Sequence, residues 1–374
     1  KGVVFVSIAY RVGPMGFLAD PALSEENGHG SGAYGLLDQI AGLEWVKANV
    51  GQFGGDPNRV TLLGHSAGGY AVSTLAASPL AKGLFHGIIA ESGANFAPAH
   101  AGNAGGSRLE TLAASEVKGA RFLAGLGATD LKAARALSAD AIQHAADQPG
   151  APRFGPPLDG YVLPANQIAL WKAGRFNDTP ILIGSNSDEA ASFGTRQLTP
   201  AAFEAEVRKD YGAKADVLLS AYPHATSEDA TRAGKQLRRD TAYGWPTYAW
   251  ADLQTQKGQG KAYVYYFDRP TAQNPDGSPH GEEVAIVFNN PDQRPGRPAW
   301  TEADHALSNQ MQSYWVNFAK TGNPNGSGLP EWPAFGSGQS VMRLGIKTGP
   351  GPIPNLDKLK ALDIYYDWLA SQTP

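Results

Sequence analysis

The 374 residues contain no cysteine, so disulfides, thiolate metal sites and cysteine nucleophiles are excluded from this chain. An excess of positive charge is also missing. Lys and Arg total 31 against 35 Asp and Glu, a formal net charge of -4. With no basic field to hold a phosphate backbone, nucleic acid is not an expected partner. The apolar runs, such as residues 3–8 and 88–90, fall far short of the ~20 residues that span a bilayer, so no membrane span is expected. The N-terminus carries neither an initiator Met nor a charged leader with a cleavage site. Residues 3–9 instead read as a fully buried strand. A buried strand needs neighbours on both edges, and this predicts a missing portion upstream of Lys1.

What is present is an ordinary globular composition, 42% hydrophobic and 18% charged, with one unusual run. Gly64-His65-Ser66-Ala67-Gly68 follows the apolar stretch Val60-Thr61-Leu62-Leu63. A strand running directly into Gly-x-Ser-x-Gly, with a small-residue helix after it, is the context of a nucleophile elbow. The serine sits at the apex of a sharp turn, and the glycines let helix and strand pass closely. Chance is the competing explanation in a chain with 45 glycines. The strand before and the helix after argue against it.

Strand and helix signals alternate around this run. Strands are expected at 60–63, 86–90, 181–184, 261–267 and 341–344. A helical stripe of Leu36, Leu37, Ile40, Leu43 and Val46 marks 33–52, and another helix is expected at 304–320. This rhythm predicts an α/β fold with a mostly parallel twisted sheet flanked by helices. Residues 105–150 and 199–250 read as helical insertions in one α/β domain spanning 1–374.

A serine hydroxyl needs a base to take its proton and an acid to orient that base. The expected chain order is serine, acid, histidine, each at a strand end. His29, His65, His86, His100 and His144 precede any suitable acid, leaving His224, His280 and His305. His305 reads as an exposed helix residue and His224 as a solvated loop residue. His280 lies in a loop after the strand at 261–267, where a general base belongs. For the acid, Asp188 and Glu189 both follow the strand at 181–184, and strand logic leaves the choice between them open.

Several segments together resemble the type-B carboxylesterase family, which includes the cholinesterases. They are Ala9-Tyr10-Arg11-Val12-Gly13-Pro14-Met15-Gly16-Phe17-Leu18, Ala33-Tyr34-Gly35-Leu36-Leu37-Asp38-Gln39, Phe53-Gly54-Gly55-Asp56-Pro57, Glu91-Ser92-Gly93, His280-Gly281-Glu282-Glu283, and the run from Tyr314 to Pro324 with Trp332-Pro333. The resemblance implies an α/β-hydrolase fold and a Ser66–Glu189–His280 triad, with Ser92 supporting the histidine–acid pair. It also implies Ala67 N–H as an oxyanion donor, a small-molecule ester as substrate, and no metal or organic cofactor. Three positions depart from the family pattern. His65 replaces the usual Glu before the nucleophile, a change in packing or in pH response, and is also a candidate substrate contact. Ala190 replaces a Gly. The Gly-Gly pair that completes the family's oxyanion hole would lie before Lys1, which makes a separate N-terminal fragment an expected partner.

Gly150 and Pro152 stand where cholinesterases narrow the acyl pocket with aromatics, which implies a roomier pocket. Phe96 is a candidate substrate-binding residue, and the aromatics from Tyr243 to Trp250 are candidates to line the gorge. Ordinary core packing is the alternative for both. Serine carboxylesterase activity is the expected function. A thioesterase, peptidase or specialised esterase on the same fold, or a catalytically silent binding relative, are its rivals.

Overall fold

The computed structural model describes residues 1–98, 109–291, 299–336, 338–345 and 347–372. Its strands are β1 (Thr61–His65), β2 (Gly87–Glu91), β3 (Glu110–Thr111), β4 (Pro157–Leu158), β5 (Ile181–Asn186), β6 (Ala262–Asp268), β7 (Ser340–Gly345) and β8 (Gly349–Pro352). Six of them form one sheet in the order β1-β2-β5-β6-β7-β8. The first five run parallel, and β8 pairs antiparallel to β7. β3 and β4 form a separate small pair.

The side-chain alternation of the central strands explains why helices cover both faces. Ile89 pairs with Leu182, and Leu182 with Tyr263. These three point into a core with Tyr265, Phe267, Met311, Trp315 and Phe318. Their neighbours Ile88, Ile181, Ile183 and Val264 point to the other face, onto a larger core that includes Leu36, Val72, Trp171, Trp250 and Tyr366. A strand buried on both sides reads as a continuous apolar run, which is how 181–183 appears in the sequence.

The helix Tyr34–Asn49 buries Leu36, Ile40, Leu43 and Val46, the stripe read from the sequence. The helix Glu302–Thr321 starts from a reciprocal Thr301–Asp304 capping box and ends at Gly322 in the left-handed region. Between β2 and β5 lie the helices Leu112–Gly125, Leu131–Ala136 and Ala139–Ala146; residues 105–108 of the expected helical segment fall outside the described residues. After β5 come Pro200–Tyr211, Ala215–Ala221, Ser227–Arg239 and Trp245–Lys257, with a π-helical turn at Asp240–Gly244. The helix Leu356–Ser371, which the sequence reading did not anticipate, buries Leu359, Leu362, Tyr365 and Tyr366.

One expectation is overturned. Residues 3–9 form no strand, and Phe5 is 65% exposed. The segment lies along helix sides instead. Lys1 Nζ donates to Asn309 O, the Phe5 ring meets Phe288 edge-on at 5.5 Å, and Ile8 packs near Gly42. An apolar run is buried only where other elements cover both its faces, and here only one side is covered. Among the described residues no helix is long and apolar enough to cross a membrane.

Candidate active site

Four parallel strands deliver four candidate side chains to one edge. Ser66 follows β1, Ser92 follows β2, Glu189 follows β5, and His280 follows β6. All four emerge from carboxyl ends, where open α/β sheets bind their ligands.

Ser66 holds φ 54° and ψ -113° between β1 and the helix Ala67–Ala77. A non-glycine residue in that region costs of order 1–3 kcal/mol and persists only where its surroundings enforce it. The enforcement is visible. Ser66 N donates to Glu91 O at 2.8 Å, and Ser66 O accepts from Tyr70 N at 3.0 Å. A Cβ on Gly64 would strike the Gly68 carbonyl, and one on Gly93 would strike the Ser66 carbonyl. Glycine is therefore required at Gly64 before the serine and at Gly93 facing it, whereas a Cβ on Gly68 would meet nothing within 4 Å. Ala67 opens the helix, so its N–H lies at the positive end of the helix dipole.

The acid and base loops are fastened to one another. Asp188 N donates to Ser278 O at 2.9 Å, Ser278 N to Ser187 Oγ at 2.8 Å, and Asn186 Nδ2 to Pro279 O at 2.7 Å. Glu189 is fully buried. One of its oxygens accepts from His280 Nδ1 at 2.5 Å; the other accepts from Ser92 Oγ at 2.6 Å and Asn186 N at 2.7 Å. Asp188 turns away and pairs with Lys235 at 2.6 Å. The backbone thus separates two neighbouring carboxylates into an inward and an outward one, the choice that strand logic left open.

Two further buried acids belong to this cluster. Glu283 accepts from Asn186 Nδ2 at 2.5 Å and lies 3.2 Å from Ser92 Oγ. Burial, with Glu189 and Glu91 nearby, holds its carboxyl well above the usual range. Ser92 carries one hydroxyl proton for two acids, and the shorter contact, at 2.6 Å, is the one to Glu189. Glu91 accepts from Trp315 Nε1 at 2.7 Å, and burial pushes it up to about 7. Neither acid was singled out in the sequence, although each sits inside a quoted motif, beside Ser92 and three residues after His280.

His65 lies with its ring 4.7 Å from that of His280 and its Nε2 3.8 Å from Glu283. Burial, and secondarily His280, lower it to about 4, so it is neutral at pH 7. Its side chain is 26% exposed. Phe96 is fully buried, stacked on Trp250 at 5.3 Å and edge-on to Trp171 at 5.2 Å, inside the larger core. Gly150 is exposed, with no atom within 4 Å of where a Cβ would stand. His305 is an exposed helix residue against Trp300, and His224 pairs with Glu204; neither joins the cluster.

A strained serine between strand and helix, at the carboxyl edge of a parallel sheet that also presents a buried acid and a histidine, defines an α/β-hydrolase. Residues 1–359 match the carboxylesterase family, and the chain belongs to it. It is 34% identical to fumonisin B1 esterase of Sphingopyxis macrogoltabida, over 94% of this chain and 65% of that protein. It is 31% identical to liver carboxylesterase of Sus scrofa, over 93% of this chain and 66% of that protein. Among solved structures it resembles a PNB esterase, with TM-score 0.77, 31% identity, and 94% and 73% of the two chains covered. The chain spans about two thirds of the length of these curated relatives.

Proposed function

We propose that this chain carries the hydrolytic centre of a serine carboxylesterase. The supporting observation is the 2.5 Å contact between Glu189 and His280 Nδ1, with a serine held in a strained elbow at the same carboxyl edge of the sheet. Glu189 keeps Nδ1 protonated, which leaves Nε2 as the basic atom. His280 Nε2 takes the Ser66 hydroxyl proton as Oγ bonds to the ester carbonyl carbon. Ala67 N–H stabilises the developing oxyanion. Collapse of the tetrahedral adduct breaks the carbon–oxygen bond to the alcohol, which leaves with the proton from His280. Water then gives a proton to His280 and attacks the acyl-enzyme. Release of the carboxylic acid returns the proton to Ser66.

Buried Ser92 and the Asn186 backbone N–H hold the other oxygen of Glu189, so the carboxylate keeps its orientation toward His280. Nothing in these steps calls for a metal or an organic cofactor. The experiment is a panel of p-nitrophenyl esters, matching anilides and acyl thioesters, run on the wild type and Ser66→Ala. Ester turnover that disappears in Ser66→Ala supports the proposal. Preference for anilides or thioesters would reassign the substrate class. No turnover of any would favour a binding role.

A further inference from the structure

The bond from His280 Nδ1 to Glu189, with the Cβ–Cγ tether, sets the mean plane of the imidazole, and excursions about that plane are limited by what packs against the ring. Two rings flank it. His65 lies at 4.7 Å with an interplanar angle of 36°, and Tyr243 at 4.8 Å with 29°. Tyr243 is itself 2% exposed and stacks on Phe193 at 6.0 Å and 14°. Phe193 ends the short helix that begins at Glu189, so the row of rings returns to the acid loop.

The backbone under Tyr243 is specialised. It belongs to the π-helical turn Asp240–Gly244, closed by Trp245 N on Asp240 O. A π turn inserts one residue and re-aims the side chains that follow, a device found often at functional sites. Its first residue is pinned: Asp240 accepts from Arg239 Nε at 2.8 Å and from Tyr222 OH at 2.9 Å. Arg239 Nη1 also donates to Ser187 O at 3.3 Å, which ties the turn to the acid loop.

We propose that Tyr243 is a positioning residue which, together with His65, clamps the plane of the His280 imidazole. Tyr243 acts through its ring face, and the π turn exists to place that face. His65 supplies a second ring that carries no charge at neutral pH, so it does not repel the imidazolium formed during turnover. The catalytic role of His280 rests on the proposed esterase reading; the clamp itself is a statement about ring order and is measurable without turnover.

The test is proton NMR of the His280 Nδ1–H in its bond to Glu189, assigned by its loss in His280→Ala. The wild type and Tyr243→Phe should both show this downfield proton, while Tyr243→Leu should broaden it beyond detection. His65→Ala, at a partly exposed site, should broaden it too and serves if Tyr243→Leu does not fold. In parallel, the rate of fluorophosphonate labelling at Ser66 should fall about 10–100-fold in Tyr243→Leu and recover in Tyr243→Phe. An unchanged proton signal in a folded Tyr243→Leu, its loss in Tyr243→Phe, or its absence from the wild type would each overturn the clamp. A wild type that shows the proton but never labels would overturn the esterase reading and leave the clamp standing.

Discussion

Glu189 and Asp188 are adjacent in the chain, yet they face opposite environments. Glu189 is buried on His280, and Asp188 is paired with Lys235. Glu189→Gln should lower kcat/KM for an ester by about 10²–10⁴-fold with little change in melting temperature. Asp188→Asn should change it less than about threefold, because it removes an interaction away from the reacting atoms. Equal losses in both would contradict the assignment.

The buried titratable groups also predict how stability depends on pH, and their signs oppose. Burial raises Glu91 from 4.5 to about 7. Between those values the folded chain keeps a proton that the unfolded chain releases, so this contribution to stability is lost as pH rises through the window. His65 is lowered from 6.5 to about 4. There the unfolded chain binds a proton that the folded chain refuses, so stability grows as pH rises from about 4 to 6.5. Thermal melts across these pH values should show Glu91→Gln stabilised with rising pH relative to wild type, and His65→Phe the reverse. Parallel profiles in all three would refute the assignment.

At this scale the serine and the histidine were legible from local pattern, since a Gly-x-Ser-x-Gly after a strand and a histidine in a late strand-end loop have few alternatives. The acid was not. Two neighbouring carboxylates differ only in which way the backbone turns, and that depends on the contacts with Ser278, Pro279 and Lys235. Glu91 and Glu283 were hidden for the same reason, and Tyr243 reads in the sequence only as a candidate gorge aromatic: their contacts arise from distant elements meeting.

Among the elements, the elbow is the most constrained. Gly93 comes from the segment after β2, yet its Cα–H faces the Ser66 carbonyl, where a methyl would collide. Gly93→Ala should destabilise the chain by about 1–3 kcal/mol in urea unfolding. Ordinary stability in this variant would mean that the elbow is not held from β2. Of the five parallel strands, β2, β5 and β6 were readable because burial on both faces writes continuous apolar runs into them. Residues 3–9 carry the same kind of run and form no strand. Apolar content states a tendency to be covered, while the ladder depends on a partner that composition does not specify. The helix Leu356–Ser371 went unread although Leu359, Leu362 and Tyr366 form a helical stripe.

For the molecule as a whole, the parallel sheet gathers Ser66, Ser92, Glu189 and His280 at one edge from segments more than 200 residues apart in sequence. The helices inserted after β5 supply Tyr243 and Lys235 to that edge, so they take part in building the site as well as covering it. Membership of the carboxylesterase family fits this architecture over residues 1–359. The central claim is that Ser66 is an activated nucleophile. Its most direct test is intact-mass and peptide mapping after exposure to a fluorophosphonate. The account predicts one adduct per chain, on Ser66, lost in Ser66→Ala and strongly slowed in Glu189→Gln. A wild type that takes up no adduct, or carries it on another residue, would contradict it.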